Sequence, residues 1–208
     1  MQITLLQHTD LAVCAHAIRT CWQSYERSDN GGDADRALID RVGNQNKHSS
    51  VLEHLFYVFY IRGISRACLQ ELARHRVASL SVKSTRYTLK ELKKEAAFET
   101  FDDRAKNYLV ETGVGEVDRA SLLALERLRE LLARGIASDR AKYALPESYK
   151  TELTWSVNAR SLQNFLRLRT SRAALWEIRA LALAIFDALP KDHRYLFEPY
   201  IDRGETSE

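Results

Sequence analysis

Apolar and polar positions alternate over residues 1–7 (MQITLLQ) well enough to predict a first strand. After Asp10 the period changes to three and four. Leu11, Cys14, Ile18, Cys21, Trp22 and Tyr25 fall on one stripe, so a helix capped by Asp10 is expected to run to about Glu26. The turn-rich SDNGGDAD (28–35) breaks that pattern, and its aspartates can cap a second helix over roughly 34–47. Leu55–Ile61 (LFYVFYI) is a short, aromatic, continuously apolar run that predicts a buried strand. Beyond Gly63, Ser65 caps a helix reaching Arg74–Arg76, and Lys90–Phe101 (KELKKEAAFETF) reads as a charged surface helix. The clearest helix is 116–134, with Leu122, Leu125, Leu128 and Leu132 on one face and Gly135 at its end. Tyr149, Thr151, Leu153, Trp155 and Val157 alternate with polar neighbours, the pattern of a strand with one face on the core. A helix follows with Asn158 at its N-cap, and another spans Ser171–Leu189 before Pro190. Strands separated by several helices predict an α/β domain of the α+β type, with a mixed sheet flanked by helices.

Length and charge narrow the class. At 208 residues the chain is expected to be one domain over 1–208, and a net charge of +3 argues against a general polyanion binder. No apolar run approaches a membrane span and the start lacks a signal-peptide layout, so a soluble, cytoplasmic protein without nucleic-acid or membrane partners is expected. Cys14, Cys21 and Cys68 form no CxxC pair, and all three read as core residues rather than nucleophiles or zinc ligands.

The local distribution of charge is more informative than its sum. Arg74–Lys90 carries Arg74, Arg76, Lys83, Arg86 and Lys90 with no carboxylate, interleaved with Ser79, Ser81, Ser84 and Thr85. Such a set suits phosphate oxygens, and it calls for an anion from elsewhere in the protein or from a ligand. A solvated basic loop is the plainer alternative. A second acid-free stretch runs from Leu153 to Trp176. In it Arg160, Asn164 and Arg167 share a helical face, while Arg169 is in phase with the apolar Leu162, Phe165 and Leu166. An arginine drawn inward needs an acceptor or a bound anion, whereas one that curls round the helix end needs none; spacing is compatible with both. His48, Glu53, His54 and His75 match no compact metal motif, and metal binding is the weaker reading. GxGxxG, the Walker loop and GxSxG are all absent, so a nucleotide would be held by side chains.

Three of these segments together resemble one known family. RHRVASLSVKS (Arg74–Ser84) fits the RHR-x7-S signature of the flavin-dependent thymidylate synthases, the ThyX family. HSSVLEH (48–54) resembles that family's His-x-Ser/Thr-x-x-Glu-His segment. NARSLQNFLRLR (158–169) with WEIRALA (176–182) resembles its C-terminal block, in the same order and spacing. The resemblance implies a homotetramer with active sites shared between subunits. It implies methylation of dUMP to dTMP with 5,10-methylenetetrahydrofolate as carbon donor, FAD as hydride carrier and NADPH as reductant. Carried over, it puts Ser50, Glu53, Arg74, His75, Arg76, Asn158, Arg160 and Asn164 at FAD, with His48 nearby. It puts Glu71, Arg74, Lys83, Ser84, Thr85, Arg86 and Lys142 around dUMP. Arg169 is the implied catalytic residue, set against the uracil.

The chain departs from the family pattern at Ser81-Val82 (commonly Asn-Glu), at Glu71 (commonly Gln) and at Lys142 (commonly Arg). The last replaces a bidentate fork with a point charge. With no poised thiolate, activation of the pyrimidine is expected to be electrostatic. A nucleotide- or flavin-binding protein without turnover is the competing class, and RNA binding is disfavoured by the low net charge.

Overall fold

A computed structural model describes residues 1–202. Among them are four strands, β1 (Gln2–His8), β2 (Phe56–Ser65), β3 (Ala78–Val82) and β4 (Lys150–Asn158). The first helices are α1 (Leu11–Thr20), α2 (Asp33–Ile39) and α3 (Arg66–Ala73). Three one-turn helices, α4 (Thr85–Thr88), α5 (Asp103–Lys106) and α7 (Ser138–Ala141), surround the long α6 (Gly115–Ala133). α8 (Ala159–Arg169) and α9 (Trp176–Ala188) complete the set. The strands form one sheet in the order β1-β2-β4-β3. Bonds at the strand ends (Thr9 N to Phe56 O, Ala159 N to Leu55 O, Lys83 N to Glu152 O) pair the end of one strand with the beginning of its neighbour. The α+β expectation holds, and the sheet is antiparallel throughout in place of a mixed one.

The chain gathers into two units. One holds Arg62–Glu71 and Ser81–Leu153 with Met1; the other holds Gln2–Ile61, Leu72–Leu80 and the chain from Thr154. The core of the first is set by α6, whose Leu122, Leu125, Leu128 and Leu132 meet Leu89, Leu92 and Phe98. The surface helix expected over 90–101 is not there. Leu89–Lys94 is a 3₁₀ segment, whose three-residue period brings Leu89 and Leu92 onto one buried edge. The Phe98 N–H then bonds the Glu126 carboxylate at 2.9 Å instead of a helical carbonyl.

In the second unit the alternation expected for β4 is observed, with Trp155 and Val157 buried. Its partner β2 alternates too, with Tyr57, Phe59 and Ile61 fully buried. β2 runs four residues past its expected end. Gly63, at φ +72°, shifts the alternation by one residue and brings Ile64 inside. α1 is capped by Asp10, whose carboxylate accepts from Ala12 N at 2.7 Å, but it ends at Thr20. Gln23, at φ +52°, turns the chain there, leaving Cys21 exposed and Trp22 at 82 % exposure. The core role expected for Cys21 is therefore overturned, while Cys14 and Cys68 are buried. α2 gives way to a π-helical segment, Asp40–Gln45. A Cβ on its Gly43 would come within 2.8 Å of Leu52 Cδ2, so a glycine lets this segment lie against the 3₁₀ turn Ser49–His54. α9 starts at Trp176 rather than Ser171, after a turn across which Arg179 Nε of α9 donates back to Thr170 O.

Candidate active site

Asn158 caps α8 by accepting from Ser161 N at 2.8 Å, which sets the rotation of the helix. Leu162, Phe165 and Leu166 are then fully buried, and Arg160, Asn164 and Arg167 are exposed. Arg169, in the last turn, is half-buried. The segment after α3 supplies its partner. The His75 ring stands edge-on to Phe165, with centroids 5.0 Å apart and an interplanar angle of 81°. Its Nε2 accepts from Arg169 Nε at 3.0 Å. That bond needs a lone pair on Nε2 and so specifies the neutral ring with its proton on Nδ1. Behind Phe165 the aromatic packing continues to Trp155 (5.1 Å) and from there to Phe59 (6.1 Å). The inward reading of Arg169 is the one the fold adopts.

Around this pair opens a cavity of about 680 Å³, within the ordinary range of small-molecule sites. Arg74, Arg76, Arg160 and Arg169 line it against a single carboxylate, Glu53. Arg160 Nη1 donates to Glu53 Oε1 at 2.6 Å, with the two side chains 55 % and 47 % exposed. An ion pair so open to water is worth only about 0–1 kcal/mol, so an incoming anion can exchange for it at small cost. Asn164 and His75 also line the cavity.

Six of the expected site residues thus meet Arg169: Glu53, Arg74, His75, Arg76, Arg160 and Asn164. Two others of this unit are not on the wall. Ser50 is exposed on the 3₁₀ turn that carries Glu53, and Asn158 is the buried cap beneath α8. Val77, Ser161 and Leu168 line the cavity although sequence reasoning passed over them. The overlooked signal is spacing. Arg160, Asn164 and Leu168 are i, i+4 and i+8, and Leu168 is 45 % exposed at the end of an otherwise polar row. Arg167, expected on the cavity face, instead bonds Asn164 Oδ1 at 3.0 Å.

The remaining candidates belong to the other unit. What read as a basic loop contains edge strand β3, too short and too hydroxylated to signal itself. Lys83 follows it, 3.7 Å from Glu152, which supplies part of the anion this segment called for. Ser84 is the N-cap position of α4, which carries Thr85 and Arg86, and the Arg86 guanidinium lies over the Tyr87 ring at 5.7 Å. α7 packs on α4, and Lys142 directly follows α7. Glu71 is half-buried on α3. No cysteine lines the cavity. Burial pushes the Cys14 thiol up to about 12, and its Sγ donates to Val51 O. No group of three His, Cys, Asp or Glu among the described residues is arranged to hold a metal.

The profile of the family described as "Thymidylate synthase complementing protein" matches residues 4–193. The flavin-dependent thymidylate synthase of Wolinella succinogenes is 70 % identical over 95 % of this chain and 97 % of its own length. That of Campylobacter jejuni is 65 % identical over 95 % and 96 %. A crystal structure of Helicobacter pylori ThyX with FAD and dUMP superposes with a TM-score of 0.93 at 54 % identity, covering 98 % of this chain and all of that one. With the cationic cavity, its RHR wall and a match across nearly the whole chain in agreement, this chain belongs to the flavin-dependent thymidylate synthase family.

Proposed function

We propose that this chain, as one domain over 1–208, makes dTMP by reductive methylation of dUMP. FAD is its cofactor; 5,10-methylenetetrahydrofolate is the carbon donor and NADPH the reductant. The observation that carries the reading is the Arg169–His75 pair at a cavity with four guanidinium groups and one carboxylate.

The donor set fits FAD. A diphosphate needs converging cations, here Arg74, Arg76 and Arg160, and a flat ring system needs apolar contact, here Val77 and Leu168. Asn164 and Ser161 add an amide and a hydroxyl, and Glu53, paired with Arg160, completes the lining. FAD, when bound, supplies the hydride-carrying chemistry. The chain itself supplies position and charge.

Arg169 cannot tumble, because its Nε is held by an imidazole wedged against Phe165. A fixed guanidinium beside the uracil stabilises negative charge that develops on the ring. Such preorganised donors contribute about 3 kcal/mol, without the reorganisation that water would need. This replaces covalent activation by a thiolate, consistent with a cavity that no cysteine lines. Lys83, Ser84, Thr85, Arg86 and Lys142 form a phosphate-binding group of cations and hydroxyls in their own unit. In a homotetramer they serve a site completed by another copy, with Glu71 and Arg74 alongside. No helix among the described residues is long and apolar enough to cross a membrane, in keeping with work in the cytoplasm.

The test is dTMP formation, or tritium release from C5-labelled dUMP, with each co-substrate omitted in turn. Product is expected only with the full set, from a yellow protein whose flavin NADPH reduces. Turnover without the folate, or an apoprotein that cannot be reconstituted with FAD, overturns the proposal.

A further inference from the structure

A second cavity, of about 650 Å³, lies among α1, α2 and the π-helical segment, and it shares no lining residue with the first. Its apolar part comes from Ile18, Leu38 and Val42 with two alanines of α2. Its polar part is cationic: Arg27 and Arg41 line it beside Ser24 and Asn46, and no carboxylate does.

Arg19 lines it too, but as a finished wall. Its Nε and Nη2 donate to Asp35 Oδ1 at 3.1 and 2.6 Å, and that carboxylate also accepts from Ser28 Oγ and Gly31 N. With side chains 6 % and 0 % exposed, the pair is satisfied internally. The other two arginines are not in that state. Arg41 has no ion pair among the described residues. Arg27 meets only its neighbour Glu26, at 3.5 Å between side chains 78 % and 69 % exposed, a contact that water screens almost completely.

The remaining wall is Trp22. The turn at Gln23 breaks α1 just before this indole could join the core, and leaves the ring 82 % exposed at the cavity. An indole face stacks on any planar heterocycle, and guanidinium groups take phosphate in a fork. The π-helical turn that carries Arg41 and Val42 is a rare geometry, and one that recurs at ligand sites.

We propose that this cavity is a second ligand site, for a small molecule that joins a planar heterocycle to two or more negative charges, the build of a nucleotide. The ring stacks on Trp22, the anionic group takes Arg27 and Arg41, and Ser24 and Asn46 hold the polar edge between them. The site stands independently of the flavin and dUMP reading. Its occupant is either a free nucleotide or the nucleotide half of a dinucleotide.

FAD-loaded protein saturated with dUMP, so that the first cavity is filled, is titrated calorimetrically with ADP and separately with NADP⁺. A saturable heat of one site per chain is expected, with affinity reduced at least tenfold in Arg41→Gln and in Trp22→Ala, and reduced likewise in Arg27→Gln. Flavin content and melting temperature are expected to stay at the parent values, since all three side chains are at the surface and outside the first cavity. ADP and NADP⁺ binding alike supports the shared nucleotide chemistry. NADP⁺ alone, lost in the same variants, supports the dinucleotide. Absence of saturable heat with both, or heats that the three substitutions leave unchanged, overturns the proposal.

Discussion

Arg169 meets the first cavity with its Nε bonded to His75 and with Phe165 and Trp155 packed behind that ring. Arg86, from the other acid-free stretch, stands exposed on a four-residue helix with its guanidinium over the Tyr87 ring. One cation is preorganised by an aromatic column that reaches through Phe59 and Tyr57 to the buried His193. The other is held by surface contacts and by whatever it binds. A fixed charge lowers a barrier because nothing must reorganise as charge develops. A mobile one loses side-chain freedom when it takes a phosphate, and it is screened by salt, so it contributes to affinity. On the proposed reading, the two regions divide the reaction between rate and recognition.

The column is the part to break first. Phe165→Ala removes a fully buried ring and is expected to cost about 3–5 kcal/mol of stability, measured by denaturant unfolding. A loss no greater than that of a surface substitution would show that the column bears no weight. Arg169→Ala leaves the column intact, so it is expected to fold and keep FAD while kcat falls by roughly 10²–10³. Near-normal dTMP formation by that variant would erase the contrast with Arg86.

Acid probes the far end of the column. Burial holds His193 down to about 4, and Tyr57 Oη lies 2.8 Å from its Nδ1. Between the ordinary 6.5 and about 4 the unfolded chain binds a proton that the folded one refuses. Stability should therefore fall over that window as pH is lowered, by about 3 kcal/mol in all. Melting temperatures from pH 7 to pH 4.5 should show this slope, and His193→Gln should flatten it; a slope equal in both would acquit His193. The smallest effect belongs to the recognition side. Ser84→Ala is expected to raise the KM for dUMP several-fold, about 1 kcal/mol for one hydroxyl, with kcat unchanged. An unaltered KM would remove Ser84 from the phosphate group.

Much of this was legible in the residues. Period-two alternation located β4, the Asn158 cap located the start of α8, and the leucine stripe located α6, because each reports which side of an element meets the core. The sequence also singled out the cations of both acid-free stretches. The elements it misread are those in which a distant partner overrides local preference. β3 exists because β4 lies beside it, and 90–101 is drawn out of helix by Leu89, Leu92 and Phe98 entering the core. α1 stops six residues early at the Gln23 turn.

By itself the sequence determined composition, period and charge: an α+β chain with two carboxylate-free segments and the signature residues of one enzyme family. Tertiary structure alone decided that Arg169 turns inward onto His75, that Leu168 rather than Arg167 meets the cavity, and that Trp22 leaves its stripe to line a second one. The reason is physical. Helical spacing sets the face on which a side chain stands, but the partner it meets across that face comes from residues 94 positions away, as His75 is from Arg169, and only packing brings them together.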